Sequence, residues 1–269
     1  DHRINALGSG SDYTPFLQHL GIASLNLGFG GESGGGSYHS IFDSFDHYTR
    51  FIDPTFEYGL ALAQTAGRAV LRLADAELLP WDFTAFEATV GRYADEVIAL
   101  TDDMREETER QNRLLHDGRF ELAADPTKTY APPDAEDPVP HLNFAPVRNA
   151  LVGLAASAQA HDVARRGLVA GGDRLSTDQA REVDKILFRT ERAMTHPDGL
   201  PGRSWFVHQI YAPGFYTGYG VKTLPGVREA IEERAWEEAQ RQIARLADTI
   251  RQVASEVDRA TQFLEPAGP

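Results

Sequence analysis

Two long stretches of this sequence, residues 83–104 and 236–264, carry apolar side chains at alternating steps of three and four. That spacing places the apolar side chains on one face of a helix that packs along its length. An alanine-rich stretch near residues 147–168 predicts a third helix, and residues 176–179 resemble the capping box that opens another. Helices of this kind joined along one chain predict an up-and-down bundle over residues 80–269.

The first 79 residues follow a different pattern. A short helix is predicted over residues 12–20, where Gly21 supplies the left-handed residue at its end, and a short strand over residues 22–27. A glycine-rich loop follows over residues 28–37. Helix, strand and polar loop in this order are typical of α/β enzymes, which present a site at the carboxyl ends of their strands. One strand does not make a sheet, so the rest of the sheet is expected outside this chain.

A further helix is predicted to begin at Asp53, with Pro54 at its first helical position. The character of the sequence changes after Pro80, where we place a domain boundary. The prediction is therefore an α/β fragment over residues 1–79, followed by a mainly α-helical bundle over residues 80–269.

Composition narrows the possible functions. The formal net charge of −14 argues against a general nucleic-acid binder, which needs a basic surface to replace phosphate counterions. Cysteine is absent, so disulfides, thiolate metal sites and cysteine nucleophiles are excluded within this chain. No run of about 18 apolar residues is present, so no membrane segment is predicted in it.

Residues that could carry chemistry concentrate in three segments, at residues 8–12, 38–40 and 191–213. None of the three identifies a function alone, and the glycine-rich loop lacks the spacing of a phosphate-binding or dinucleotide-binding motif. His39, Asp43 and His47 have a helical spacing that could hold a metal ion. The alternative is that Asp43 and Asp46 cap the helix preceding Arg50.

The order and spacing of the three segments resemble the glutamate carboxypeptidase II and transferrin receptor family, whose peptidases are two-zinc exopeptidases. The resemblance runs over nearly the whole chain and is weakest over residues 105–175. It implies that residues 1–79 are the C-terminal part of a zinc peptidase catalytic domain. Residues 80–269 are then a transferrin receptor-like helical dimerisation domain.

The resemblance also implies roles for single residues. His39 matches a zinc ligand, and Tyr38 matches a tyrosine that donates a hydrogen bond to the tetrahedral intermediate. Ser9, Gly10 and Ser11 match residues that line the substrate cleft. The remaining zinc ligands belong to segments that precede this chain in the family order, so the isolated chain is expected to be inactive.

Several positions depart from the glutamate-specific members of the family. Asn26 and Gly28 stand where those members carry an arginine pair, and Ser11 replaces an asparagine of the cleft. Gly218 and Tyr219 match a lysine–tyrosine pair, of which only the tyrosine is present. Asn26, Gly28 and Tyr219 therefore complete the expected substrate-binding set, and preference for a terminal glutamate is not expected.

The resemblance implies a zinc cofactor, a peptide substrate, a homodimer and an extracytoplasmic location. Two other interpretations stay open: a non-catalytic, receptor-like member of the family, and an independent helical dimerisation module. Presence of Tyr38 and His39 favours the peptidase, because a receptor does not need a zinc ligand at that position.

Overall fold

The structure is a computed structural model that describes residues 5–30, 37–171 and 175–264. The described residues form two compact units. One lies within residues 24–81, and the other joins residues 5–23 to residues 82–264. The second unit therefore contains the first of the three chemistry-bearing segments as well as the last.

The unit within residues 24–81 is built from short helices and one longer helix. Helix α1, Phe45–His47, runs into a π-helical turn over Tyr48–Ile52, and helix α2 spans Glu57–Ala74. The predicted helix start at Pro54 is wrong by three residues, since α2 begins at Glu57. Asp53 nevertheless stabilises the start of this helix, because its carboxylate accepts the otherwise unpaired N–H of Gly59 in the first turn, at 2.8 Å.

The predicted strand over residues 22–27 is not formed, and those residues carry no regular secondary structure. Among the described residues the only sheet is a two-stranded antiparallel one, formed by β1, Tyr211–Pro213, and β2, Val221–Thr223. A strand is stable only where a neighbour takes up its backbone N–H and C=O groups. The predicted α/β fragment is therefore not confirmed.

The predicted helical bundle is confirmed in the other unit. Its helices are α3, Phe83–His116; α4, Arg119–Ala123; α5, Ala145–Gly171; α6, Thr177–Arg189; α7, Pro225–Glu232; and α8, Trp236–Leu264. The capping box at Ser176 is present, since its hydroxyl and the Gln179 side chain each accept the other's backbone N–H. In the described part of the chain no helix is long and apolar enough to cross a membrane.

Helix α8 is the centre of this unit. It packs along α5 and also contacts α6 and α7. Ile243, Ile250 and Val257 on α8 are fully buried, as is Leu154 on α5. Burying one such side chain contributes about 1.5–3 kcal/mol, so the apolar stripe read from the sequence is the main source of this unit's stability.

Residues 5–23 pack onto the same unit. The predicted helix over residues 12–20 is realised as a π-helical turn over Pro15–His19. The N–H of Val207 donates to the carbonyl of Gln18 at 2.9 Å, and the His19 ring stacks on Trp205 with centroids 4.8 Å apart. These contacts join Gln18 and His19 to the segment that leads into strand β1.

Candidate functional site

The loop of residues 8–11 meets Tyr219 through its backbone. The N–H of Ser9 donates to the Tyr219 carbonyl at 3.2 Å. A Cβ added at Gly8 would lie 2.3 Å from that same oxygen, and one added at Gly10 would lie 2.9 Å from the Tyr219 ring. Gly10 also has a φ of 101°, which favours glycine. The structure thus brings together Ser9, Gly10 and Tyr219, three of the residues expected to bind substrate.

Two polar side chains, those of Gln18 and Tyr13, hold this loop through hydrogen bonds to its backbone. The amide of the fully buried Gln18 donates to the carbonyls of Leu7 and Gly8, each at 3.1 Å. The Tyr13 hydroxyl donates to the Ser9 carbonyl, also at 3.1 Å. The loop is therefore fixed by its carbonyl groups, while Ser11 stays exposed.

Tyr219 belongs to the loop that joins β1 to β2, residues 214–220, which we call the aromatic loop. It carries Phe215, Tyr216 and Tyr219, whose side chains are all exposed. The N–H of Gly214 donates to the carbonyl of Gly220 at 2.9 Å, which closes the loop at its base. Of these three residues, only Tyr219 was predicted from the sequence. Phe215 and Tyr216 were missed, although three aromatic residues among glycines in so short a segment form a recognisable pattern.

An ion pair joins the start of the aromatic loop to helix α7. The Arg203 guanidinium donates to both carboxylate oxygens of Glu229, at 2.8 and 2.6 Å, and also to the carbonyl of Pro213. The same carboxylate accepts the N–H of Phe215 at 2.8 Å. Both charged side chains are largely buried. Burial raises the pKa of Glu229 in spite of the opposing effects of the Phe215 N–H and the Arg203 charge.

A second buried polar group lies behind strand β1. Glu191 accepts from the Tyr211 hydroxyl at 2.6 Å and from Nε2 of His208 at 3.0 Å. Nδ1 of His208 accepts the N–H groups of Ile210 and Tyr211, at 3.3 and 3.4 Å. A nitrogen that accepts cannot carry a proton, so this geometry places the ring proton on Nε2, where it is directed at Glu191.

Hydrogen bonding decides the protonation state of Glu191. Burial alone would raise the pKa of this carboxyl, but the hydrogen bond and electrostatic attraction of His208, together with the hydrogen bond from Tyr211, outweigh burial and hold the pKa below its usual value. Burial and the neighbouring carboxylate raise the pKa of Tyr211 well above 10.0. Glu191 is therefore an anion at neutral pH that anchors the start of β1.

Tyr38 and His39 lie in the other compact unit, together with Asn26 and Gly28. The two rings stack with centroids 3.7 Å apart, and both side chains are exposed. His39 has a φ of 59°, an uncommon value for a residue with a side chain. Part of the glycine-rich loop, residues 31–36, lies outside the described residues.

The described residues do not by themselves form a metal site. Nowhere in residues 5–30, 37–171 and 175–264 do three or more metal-binding side chains converge. The grouping of His39, Asp43 and His47 is therefore not supported. Asp43 instead accepts the His39 backbone N–H at 3.4 Å, and Ser44 caps His47 at 3.2 Å. A single imidazole does not fit the ligand set of a two-zinc site, which needs about four ligands for each ion.

Sequence comparison relates this chain to known proteins. Residues 142–258 match the transferrin receptor-like dimerisation domain. The chain is 30% identical over 251 residues to the probable glutamate carboxypeptidase LAMP1 of Arabidopsis thaliana, covering 91% of this chain and 30% of that protein. It is 26% identical over 255 residues to the aminopeptidase NAALADL1 of Mus musculus, covering 90% of this chain and 29% of that protein.

A fungal protein, the probable glutamate carboxypeptidase of Arthroderma benhamiae, is 29% identical over 232 residues, which cover 85% of this chain. The chain spans about 30% of the length of these relatives. The relatives are named peptidases, and the similarity extends over most of the chain and well beyond the dimerisation domain. The chain therefore belongs to the glutamate carboxypeptidase and transferrin receptor family, and residues 142–258 are its transferrin receptor-like dimerisation domain.

Proposed function

We propose that this chain is part of a zinc-dependent exopeptidase that removes terminal residues from peptides. In this proposal loop 8–11 and Tyr219 form part of the wall of the substrate cleft. The observation that carries the proposal is the contact of Ser9 and Gly10 with Tyr219, because these residues come from distant segments that the family resemblance assigns to one cleft. The peptidase names of the relatives support the same function.

The exposed groups at this contact suit a peptide with a neutral or apolar end. The Ser11 and Tyr219 side chains are exposed and can exchange hydrogen bonds with peptide groups, while the tyrosine ring offers an apolar face. Neither loop 8–11 nor the aromatic loop contains a charged residue. Lys222, on the adjacent strand, is engaged with Glu232 at 2.7 and 2.8 Å. A terminal glutamate would therefore gain no ion pair from these loops.

In this proposal the chain supplies only part of the zinc site. His39 contributes one ligand, and Tyr38 lies next to it in the sequence and stacks on its ring. The other ligands come from protein outside this chain, so the chain alone is inactive. Asn26 and Gly28, which belong to the same compact unit, replace the arginine pair of glutamate-specific members with neutral residues.

A second function, homodimerisation, is proposed for the helical unit. Its support is the match of residues 142–258 to a dimerisation domain. Helix α5, all of which falls within that range, exposes the apolar side chains of Val152, Val163 and Val169. Apolar side chains exposed on one helix are the kind of surface that a second subunit covers.

The test of the peptidase uses a longer protein that carries this chain together with the remaining zinc ligands. Peptides with free or blocked ends are incubated with the zinc-loaded protein, and the released residues are identified by mass spectrometry. The proposal predicts release from one end only, and loss of most of this activity in His39→Ala. A dimeric, folded and zinc-loaded protein without any release would favour the receptor-like alternative.

A further inference from the structure

We infer that Arg203 and Glu229 are positioning residues, which hold the aromatic loop so that Tyr219 lies against loop 8–11. Their effect on substrate binding rests on the function proposed above. Their effect on the position of Tyr219 does not, and it is measurable in this chain alone.

The ion pair acts on the backbone of the aromatic loop. Arg203 donates to the carbonyl of Pro213, and Glu229 accepts the N–H of Phe215. Both groups therefore satisfy the main chain on either side of Gly214, where the loop leaves β1. Glu229 lies on α7 between Val227 and Ala230, whose side chains are buried in the core. The loop is thus fixed to a rigid helix at the point where it departs from the sheet.

The geometry of the loop carries this constraint to Tyr219. Besides the Gly214–Gly220 backbone bond at its base, the Thr217 hydroxyl donates to the Gly220 carbonyl at 2.9 Å. The loop is therefore a small closed ring, and a shift at its first residues moves the whole of it. Tyr219 is part of this ring, and its carbonyl oxygen accepts the Ser9 N–H at 3.2 Å.

The surroundings of Arg203 fit the same role. Arg203 lies 5.7 Å from the ring centre of Phe206 and 5.8 Å from that of Phe215, so its planar guanidinium packs against the loop as well as binding it. A largely buried pair contributes little net stability compared with an apolar pair of similar size. Its directional bonds to Pro213 and Phe215 instead specify one position of the loop.

A matched control exists on the same hairpin. Glu232 also lies on α7 and pairs with Lys222 of β2, but this pair involves side chains alone and is more exposed. Glu232→Ala therefore removes a carboxylate of the same helix without removing a bond to the aromatic loop. Glu229→Gln is the conservative variant, because its amide oxygen still accepts the Phe215 N–H.

The experiment incorporates fluorotyrosine into the 269-residue chain and follows the Tyr219 fluorine signal by NMR. The chain has nine tyrosines, so Tyr219→Phe assigns the signal by its disappearance. Amide exchange at Ser9 is measured in parallel. Glu229→Ala is expected to move the Tyr219 signal and to accelerate Ser9 exchange roughly tenfold or more. Glu229→Gln should give a smaller change, and Glu232→Ala should leave both readouts unaltered.

Arg203→Lys covers the case in which Glu229→Ala does not fold. It keeps a cation beside Glu229 but cannot bind both carboxylate oxygens and the Pro213 carbonyl in the same geometry. The same movement of the Tyr219 signal is expected. An unmoved signal and an unchanged Ser9 exchange rate in folded Arg203→Lys would overturn the positioning role.

Kinetics of the longer protein separate this inference from the proposed function. If both are right, Glu229→Gln raises KM several-fold with little change in kcat, and the effect disappears in a Tyr219→Ala background. A moved Tyr219 signal without a change in KM would uphold the positioning role and remove Tyr219 from the cleft. An equal increase of KM in both backgrounds, with an unmoved Tyr219 signal, would show that Glu229 acts elsewhere and overturn the inference.

Discussion

Ser9 donates its backbone N–H to the carbonyl of Tyr219 at 3.2 Å, which joins two segments that lie far apart in the sequence. The contact depends on glycine, since a Cβ at Gly8 would lie 2.3 Å from the Tyr219 oxygen and 2.9 Å from the Val221 nitrogen. Both of these neighbours are backbone atoms of the hairpin and cannot turn away. The loop of residues 8–11 is thus shaped to lie against the aromatic loop.

Gly8→Ala is expected to break this contact. The added methyl group has to displace the hairpin or loop 8–11, which should lower the free energy of unfolding by about 1–3 kcal/mol. Urea denaturation measures the change. Gly153→Ala in α5 is the control, because nothing lies within 4 Å of its Cβ position. There, alanine should raise stability by about 0.5–1 kcal/mol through its helix propensity. Equal behaviour of the two variants would contradict the close approach at Gly8.

The helical unit could be predicted from the sequence, because the apolar periodicity of a helix lies within one continuous stretch of the chain. The stripe over residues 236–264 matches α8 in both of its bounds, and Ser176 caps α6 as expected. Helix α3 runs on to His116, beyond the apolar stripe that predicted it. Residues 105–113, which follow that stripe, are all polar, and periodicity does not detect polar turns.

The strand and hairpin predictions failed for a different reason. A strand depends on a partner that the local sequence does not contain, so residues 22–27 looked like a strand and formed none among the described residues. The β1–β2 hairpin went unpredicted, since each strand has only three residues. Helix α7 was also missed, because Pro225–Glu232 is short.

The candidate site was predictable only in part. The resemblance pointed to Ser9, Gly10 and Tyr219, which the structure brings together. It did not point to Arg203 and Glu229, because no local pattern marks an ion pair whose members are distant in the sequence. The roles of Tyr38 and His39 stay predictions, since the ligands that would accompany His39 are not found among the described residues.

Glu191 makes stability depend on pH in the acid range. Its pKa is lower in the folded protein than the value of 4.5 expected when unfolded. The stabilisation is therefore complete above pH 4.5, and it is lost as the pH falls through the lower, folded pKa. Glu191→Gln removes this contribution, so its free energy of unfolding should fall less steeply over that interval. Urea denaturation across a pH series measures both slopes.

Glu237, an exposed glutamate in the first turn of α8, is the control for Glu191. Glu237→Gln should keep the wild-type dependence of stability on pH, because that carboxylate is almost fully solvated. A parallel pH dependence in Glu191→Gln and wild type would show that the buried hydrogen bonds of Glu191 do not set its pKa.

Zinc should bind the 269-residue chain weakly or not at all. His39 has no convergent ligands in the described residues, and one imidazole does not make a zinc site. Isothermal titration calorimetry on the wild type and His39→Ala should give similar, weak heats. Tight binding of one or two zinc ions that disappears in His39→Ala would show that the chain holds a complete zinc site.

The dimerisation domain should hold two copies of the longer protein together. A stable interface of this kind buries more than about 2,000 Å² and is rich in apolar side chains. Light scattering at micromolar concentration should therefore give twice the monomer mass, and Val152→Glu on the exposed face of α5 should lower it if α5 contributes to the interface. A monomer mass for the wild-type longer protein would end the proposal of a homodimer.

We propose that loop 8–11 and Tyr219 form part of an exopeptidase cleft that favours neutral or apolar peptide ends. The most direct measurement is kcat/KM of the zinc-loaded longer protein on peptides that differ only in the residue released, for the wild type and Tyr219→Ala. Leucine should be preferred over glutamate as the residue released. Tyr219→Ala should lower kcat/KM for leucine by roughly tenfold or more, mainly through KM. Preference for glutamate, or kcat/KM values that Tyr219→Ala leaves unchanged, would contradict it.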